Sequence, residues 1–190
     1  MNSSAKLEEL KGYCLSCRRC SLSKQRKQAV FGYGNPQANL VFVGEGPGEQ
    51  EDKKGLPFIG KAGKLLNKMI LAMGLTREEV YITNVVKCRP PNNRAPTGFE
   101  SKVCMSNFLD QEIGFLQPKI ICALGATAAQ AILRTDQSIG KLRGRFHKVE
   151  YVDVMPTYHP AFLLRNNGDK GKIFKKRVWQ DLKMIVHKLS

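Results

Sequence analysis

The stretch 39-NLVFVGEGPGEQED-52 runs from continuous apolar residues straight into glycines and carboxylates. Residues 39–44 read as a strand buried on both faces, because the apolar run is unbroken rather than alternating. The glycines that follow let backbone N–H groups approach a ligand closely. Three further segments follow the same plan. VYITNVV (80–86) is a second strand, KIICALG (119–125) a third that runs into the helix-forming ATAAQAIL, and VDVMPTYHP (152–160) a fourth that ends in a loop. Between them lie helical patterns. Ala62, Leu65, Leu66, Met69, Ile70 and Met73 form one stripe, the stretch after Thr97 to about Phe115 is a second helix, and Phe174, Val178, Leu182, Ile185 and Leu189 share a face of the last. Such alternation specifies an α/β sandwich around a mostly parallel sheet, in a single domain spanning residues 1–190. Functional groups in such sheets gather where loops leave the carboxyl ends of strands. Three loops qualify: 44-GEGPGEQED-52, 84-NVVKCRPP-91 and 157-TYHPAFLLR-165.

Composition narrows the partners. The 190 residues are 42% hydrophobic and 25% charged, the balance of an ordinary folded chain. Thirty-one Lys and Arg against 16 Asp and Glu leave a net charge of +15, which suits a polyanion such as nucleic acid, since each basic group meeting a phosphate releases a counterion. No apolar run approaches the roughly 18–20 residues of a membrane span, and MNSSAKLEEL has no signal-peptide pattern. A reducing cytoplasm is the expected compartment, and persistent disulfides are not expected there.

Each loop carries candidate chemistry. The first has four carboxylates, Glu45, Glu49, Glu51 and Asp52, in an otherwise basic chain. It lacks the Gly-Lys-Ser/Thr of a Walker A loop and the spacing of a dinucleotide fingerprint. Downstream, Phe58 sits in LPFIG, a turn suited to a core plug or to a stacking platform. The second loop opens on Asn84, whose amide offers an acceptor and two donors: taken alone it reads as a helix or turn cap, and it also suits the edge of a base. The third holds His159, one of three histidines, followed by Leu163, Leu164 and Arg165. Those leucines are compatible with an ordinary helix start or with a wedge that unstacks bases.

The cysteines are more specific as a set. 14-CLSCRRC-20 puts three into seven residues, and Cys88, Cys104 and Cys122 follow. A C-x-x-C pair with Cys88 and Cys104 makes four candidate thiolates, for a structural zinc or for an iron–sulfur cluster. The wide spacing of the second pair is unlike a zinc ribbon and favours the cluster. Cys122, within an apolar strand, reads as core.

Taken in order, GEGPGEQEDKKGLPFIGKAGKLL, YITNVVKCRPPNNRAPT, ALGATA and YHPAFLLR resemble the iron–sulfur (family 4) uracil-DNA glycosylases, over Cys17 to Arg165. The resemblance implies a three-layer α/β/α sandwich around a central, mostly parallel four-stranded sheet, and a 4Fe–4S cluster with a structural role. The position of FGYGN (31–35) selects Cys17 and Cys20 as ligands beside Cys88 and Cys104. Cys14 departs from the pattern and replaces one of them if the chain shifts by three residues. The implied activity is monofunctional hydrolysis of the glycosidic bond of flipped-out deoxyuridine, leaving an abasic site for base excision repair. The implied partner is uracil-containing DNA, met by a monomer.

The same resemblance assigns roles. His159 bonds uracil O2, Asn84 reads O4 and N3–H, Phe58 stacks on the base, and backbone N–H groups at Glu45–Gly46 contact the base or the water. Better-known uracil glycosylases place an aromatic where this chain has Gly48 and a water-orienting Asp where it has Gly46. Glu51 is therefore implied to fill the space against C5, and Glu45 and Glu51 are the candidates for holding water. Leu163, Leu164 and Arg165 hold the opened duplex. Relatives trapped covalently on uracil-containing DNA carry a His-bearing insertion that KCRPPNNRAP lacks. A non-catalytic nucleic-acid-binding module and a nucleotide-binding enzyme are the other readings.

Overall fold

The computed structural model describes residues 3–166 and 168–190. Six strands form one sheet among these residues: β1 (Tyr33–Gly34), β2 (Leu40–Gly44), β3 (Tyr81–Asn84), β4 (Ile120–Leu124), β5 (His147–Val149) and β6 (Val152–Thr157), in the order β1-β3-β2-β4-β6-β5. The four expected strands are the central four, and all three of their pairings are parallel. The other two are antiparallel edges of two and three residues, too short to leave a periodic signal.

The helices are α1 (Ser3–Ser16), α2 (Glu49–Lys54), α3 (Lys61–Ala72), α4 (Gly98–Cys104), α5 (Asp110–Leu116), α6 (Ala126–Leu133), α7 (Ile139–Leu142), α8 (Pro160–Arg165) and α9 (Gly168–Leu189). Alternation along the strands splits the core in two. Val41, Val43, Ile121 and Val154 face α1, α5 and α6, whereas Leu40, Phe42, Cys122 and Met155 face α3, α8 and α9. Helices on both sheet faces make the three-layer sandwich. Cys122 is fully buried, as its strand requires.

Two features lay outside the sequence reading. Helix α1 presents a narrow stripe, Leu7, Leu10 and Cys14, that buries the last of these against the sheet. The helix expected after Thr97 contains a π-helical turn, Met105–Leu109, immediately after Cys104. Its start is a capping box: the Thr97 hydroxyl accepts from the Glu100 N–H (3.2 Å), and the Glu100 carboxylate accepts from the Thr97 N–H (2.8 Å).

Glu100 does more than cap. Its carboxylate also takes both guanidinium arms of Arg94, each at 2.8 Å, and the Ser21 hydroxyl at 2.8 Å. One carboxylate thus ties the cysteine-rich N-terminal segment to the helix that carries Cys104. The Arg94 guanidinium, with help from the Thr97 N–H and the Ser21 hydroxyl, holds the carboxyl down at about 2. A depressed carboxyl stabilises the fold above its ordinary pKa and stops doing so as pH falls through the depressed one. Glu100→Gln is therefore expected to lower the melting temperature by several degrees at pH 7, with the gap to wild type closing between about pH 4.5 and 2. A gap independent of pH in thermal melts would show that the charge does not carry the tie.

Candidate active site

Parallel register sets Gly44 beside Asn84 at the carboxyl edge of the sheet. A β-carbon on Gly44 would stand 2.5 Å from Asn84 Oδ1 and 2.5 Å from Phe58 Cζ, so the absence of a side chain there brings the other two together. Asn84 is only 1% exposed, and its Oδ1 is buried with no hydrogen-bond partner among the described residues. Leaving such an acceptor unpaired costs on the order of 1–3 kcal/mol, so the site awaits a donor.

Phe58 adopts φ +52, a left-handed conformation that is an outlier for an aromatic residue and costs roughly 1–3 kcal/mol. Three neighbours hold it there. Arg77 donates to the carbonyls of Pro57 (2.5 Å) and Phe58 (3.2 Å), and Glu51 Oε1 accepts from the N–H groups of Ile59 (2.9 Å) and Gly60 (2.7 Å). Gly63 completes the turn, since a β-carbon there would fall 1.9 Å from the Phe58 carbonyl oxygen. The Phe58 ring lies 5.7 Å from the His159 ring, tilted by 33°.

His159 caps α8. Its Nδ1 accepts the Ala161 N–H at 3.1 Å, and because a backbone amide only donates, the ring proton of the neutral form sits on Nε2. Burial, helped by the Arg165 charge, pushes its pKa down to about 4. The imidazole is thus a neutral N–H donor at physiological pH. Gly125, at φ +89, allows the close approach: a β-carbon there would meet His159 Cβ at 3.0 Å.

A cavity of about 350 Å³ opens beside His159, walled in part by Glu45, Gly46, Thr127, Tyr158 and Arg165. Asn84 and Phe58 are not on its wall and connect to it through the Phe58–His159 contact. Glu45 accepts a hydrogen bond from the Thr127 hydroxyl. Its loop is stapled to the second loop, Val85 N–H donating to Gly44 C=O (2.9 Å) and Val86 N–H to Glu45 C=O (3.1 Å). Glu51 is placed differently. It stands behind the Phe58 turn, and its Oε2 would lie 2.8 Å from a Gly48 β-carbon. Of the two leucines, Leu163 is 2% exposed and packs toward α3 and α9, whereas Leu164 is 43% exposed beside the exposed Arg165.

Far along the second loop, Cys14, Cys17, Cys20, Cys88 and Cys104 line one enclosed space, together with Arg26 and Lys87. Cys88 Sγ accepts from Arg26 Nη1 (2.9 Å), and Cys104 Sγ accepts from the Lys87 N–H (3.2 Å). Among the described residues, no group of three or more His, Cys, Asp or Glu is gathered tightly enough to hold a metal ion. The donor set, thiols with N–H groups aimed at sulfur, is nonetheless of the kind that iron–sulfur clusters take. Burial pushes the Cys104 thiol up to about 12 and raises Cys14 and Cys88 as well.

Sequence reasoning missed the supports. Lys87 and Glu112 form a buried ion pair behind Asn84, and Asp181 is buried behind Thr157, bonded to its hydroxyl (2.6 Å) and to Arg143 (2.5 Å). A lysine within the apolar run VYITNVVK was the visible signal for the first pair.

Residues 31–183 match the uracil DNA glycosylase superfamily. The chain is similar to the type-4 uracil-DNA glycosylase of Sulfurisphaera tokodaii, 48% identical over 94% of this chain and 83% of that protein. It is similar also to those of Thermotoga maritima, 47% identical over 81% of each chain, and Archaeoglobus fulgidus, 45% identical over 83% of each.

Ring-selective NMR titration is expected to show His159 protonating near pH 4, with its proton on Nε2 above that. Because the unfolded chain binds that proton near 6.5, this group's contribution to stability is full above about pH 6.5 and is lost as pH falls toward 4. A midpoint near 6.5 in the folded protein would contradict the burial argument.

Proposed function

The chain belongs to the uracil DNA glycosylase superfamily and stands among its type-4 members, and from that premise we propose how its residues remove uracil from DNA. The enzyme is a DNA glycosylase of base repair, a hydrolase of the N-glycosidic bond. Breaking the bond between C1′ and uracil N1 leaves positive charge on the sugar and negative charge on the base, through an oxocarbenium-like state. The nucleotide is flipped from the stack to reach the site.

The orphaned Oδ1 of Asn84 is the observation that carries the reading. It accepts from uracil N3–H while the amide N–H donates to O4. Cytosine presents that pair reversed and leaves the buried amide frustrated. Phe58, strained and braced, stacks on the base. His159 donates Nε2–H to O2 as the anion develops, acting as a preorganised neutral donor and not as a cation. Backbone N–H groups at Glu45–Gly46 contact the base or the water. Glu45, on the cavity wall, holds the attacking water with the carboxylate that Thr127 orients. Glu51 fills the volume that the missing side chain at Gly48 leaves, and screens C5 against the thymine methyl.

Cys17, Cys20, Cys88 and Cys104 hold a 4Fe–4S cluster, and Cys14, on the same space, is the alternative N-terminal ligand. When bound, the cluster supplies a cross-link and no reaction step. Arg26 and the Lys87 N–H stabilise thiolate charge on Cys88 and Cys104. Leu164 and Arg165 enter the opened duplex with Leu163 anchoring them in the core, and the +15 chain supplies phosphate affinity as a monomer in a reducing cytoplasm. No helix among the described residues is long and apolar enough to cross a membrane.

End-labelled DNA carrying one uracil is expected to break only after alkali, and the thymine control to stay intact. Asn84→Ala and His159→Ala are expected to lose roughly 10²–10⁴-fold in rate while keeping DNA affinity. Wild-type rates in both variants would refute the site, and a band shift that survives denaturation would mean covalent trapping instead. Iron analysis is expected to give about four irons per chain, lost with folding stability in Cys17→Ala. A stable, iron-free and fully active Cys17→Ala protein would refute the structural role.

A further inference from the structure

Lys87 is 1% exposed, and its ammonium is satisfied entirely inside the protein. It pairs with the fully buried Glu112, donates to Thr83 Oγ1 at 2.6 Å, and donates to the Asn84 backbone carbonyl at 2.9 Å. The Phe31 ring lies 5.8 Å from the nitrogen. Glu112 is held in turn by the Tyr81 hydroxyl (3.1 Å), the Thr83 hydroxyl (3.0 Å) and the Gly32 N–H (3.1 Å). Buried ion pairs are weak stabilisers, since well-packed apolar residues commonly do as well in their place. Stability alone is therefore a poor reason for this pair.

Placement gives a better one. Asn84 is the last residue of β3, and its side-chain oxygen has no partner to hold it, so the direction of its amide is set by the backbone. The Lys87 ammonium grips that backbone from three residues downstream. The N–H of the same lysine bonds Cys104 Sγ, and the next residue is Cys88. We infer that Lys87 is a positioning residue for Asn84, transmitting the placement of the cysteine-bearing segment to the amide that meets the base. This rests on the role of Asn84 proposed above.

The test is K87M/E112Q, which removes both charges together and keeps a side-chain carbonyl oxygen at position 112 as an acceptor for the Tyr81 hydroxyl and the Gly32 N–H. The iron-loaded variant is compared with wild type, N84A and the triple variant. The double variant is expected to keep iron content, to melt within a few degrees of wild type, to hold KM within about twofold and to lose about 10–100-fold in kcat. Added to N84A, it is expected to cost nothing further, because the residue it positions is already gone. K87R/E112D, which keeps a cationic donor and similar pair volume, is expected to recover kcat to within about threefold. If the methionine variant does not fold, K87R/E112D is combined with N84A in its place, and a kcat loss that persists undiminished on top of N84A would overturn the inference. Wild-type kcat in K87M/E112Q, or an undiminished loss on top of N84A, would overturn it while leaving the glycosylase reading intact. A wild-type enzyme inert on uracil-containing DNA would overturn that reading and this inference with it.

Discussion

At Gly44 the site has room for a hydrogen and nothing larger. The parallel register of β2 and β3 makes Gly44 and Asn84 neighbours, and the missing side chain lets the Asn84 amide and the Phe58 ring occupy one corner. In and beside that corner the site gathers groups that are each unfavourable alone. One is an acceptor left unpaired, another a phenylalanine held at positive φ, and the third an imidazole buried until it loses its charge. Such costs persist only where the surroundings over-determine the geometry.

Those surroundings share a pattern across the three loops. A basic side chain stands behind Phe58, Asn84 and His159 alike and bonds the backbone there or its immediate support. Arg77 donates to the Pro57 and Phe58 carbonyls, Lys87 to the Asn84 carbonyl, and Arg143 to Asp181, which accepts from the Thr157 hydroxyl at the end of the His159 strand. Lys87 and Arg143 are further paired with fully buried carboxylates. Charged hydrogen bonds are stronger than neutral ones and hold a carbonyl in one direction, which a loop leaving a sheet otherwise lacks.

Sequence patterning shows the sheet well, because Leu40–Gly44 and Ile120–Leu124 are unbroken apolar runs that only a doubly covered strand explains. The two edge strands and α1 are less visible. Two or three residues carry no period, and a helix that buries only Leu7, Leu10 and Cys14 shows a stripe too narrow to stand out. Among candidate site residues, Asn84 and His159 stand out as polar residues at the mouths of buried strands, and the family resemblance is what gives them roles. The strain at Phe58 is not legible, since a turn in LPFIG leaves the sign of φ open. Glu51 looks like any loop carboxylate, and only the fold shows it bonding the N–H groups ahead of α3. Lys87 and Glu112 meet across 25 residues, a distance that no local pattern spans.

The neutral state of His159 explains why so much rigidity is invested around it. A cation would attract the departing uracil anion over a range of positions, because a full charge tolerates misplacement. An uncharged N–H acts only when the acceptor lies in line and near contact distance. A site that keeps its histidine neutral, with Nδ1 already committed to Ala161, therefore depends on having the base placed to within a fraction of an ångström. In the proposed site Asn84 and Phe58 do that placing, on backbones that Lys87 and Arg77 hold. On that reading the two cations act through geometry: the Lys87 charge is balanced by Glu112, the Arg77 guanidinium is committed to hydrogen bonds with carbonyls, and what reaches the base is direction rather than field.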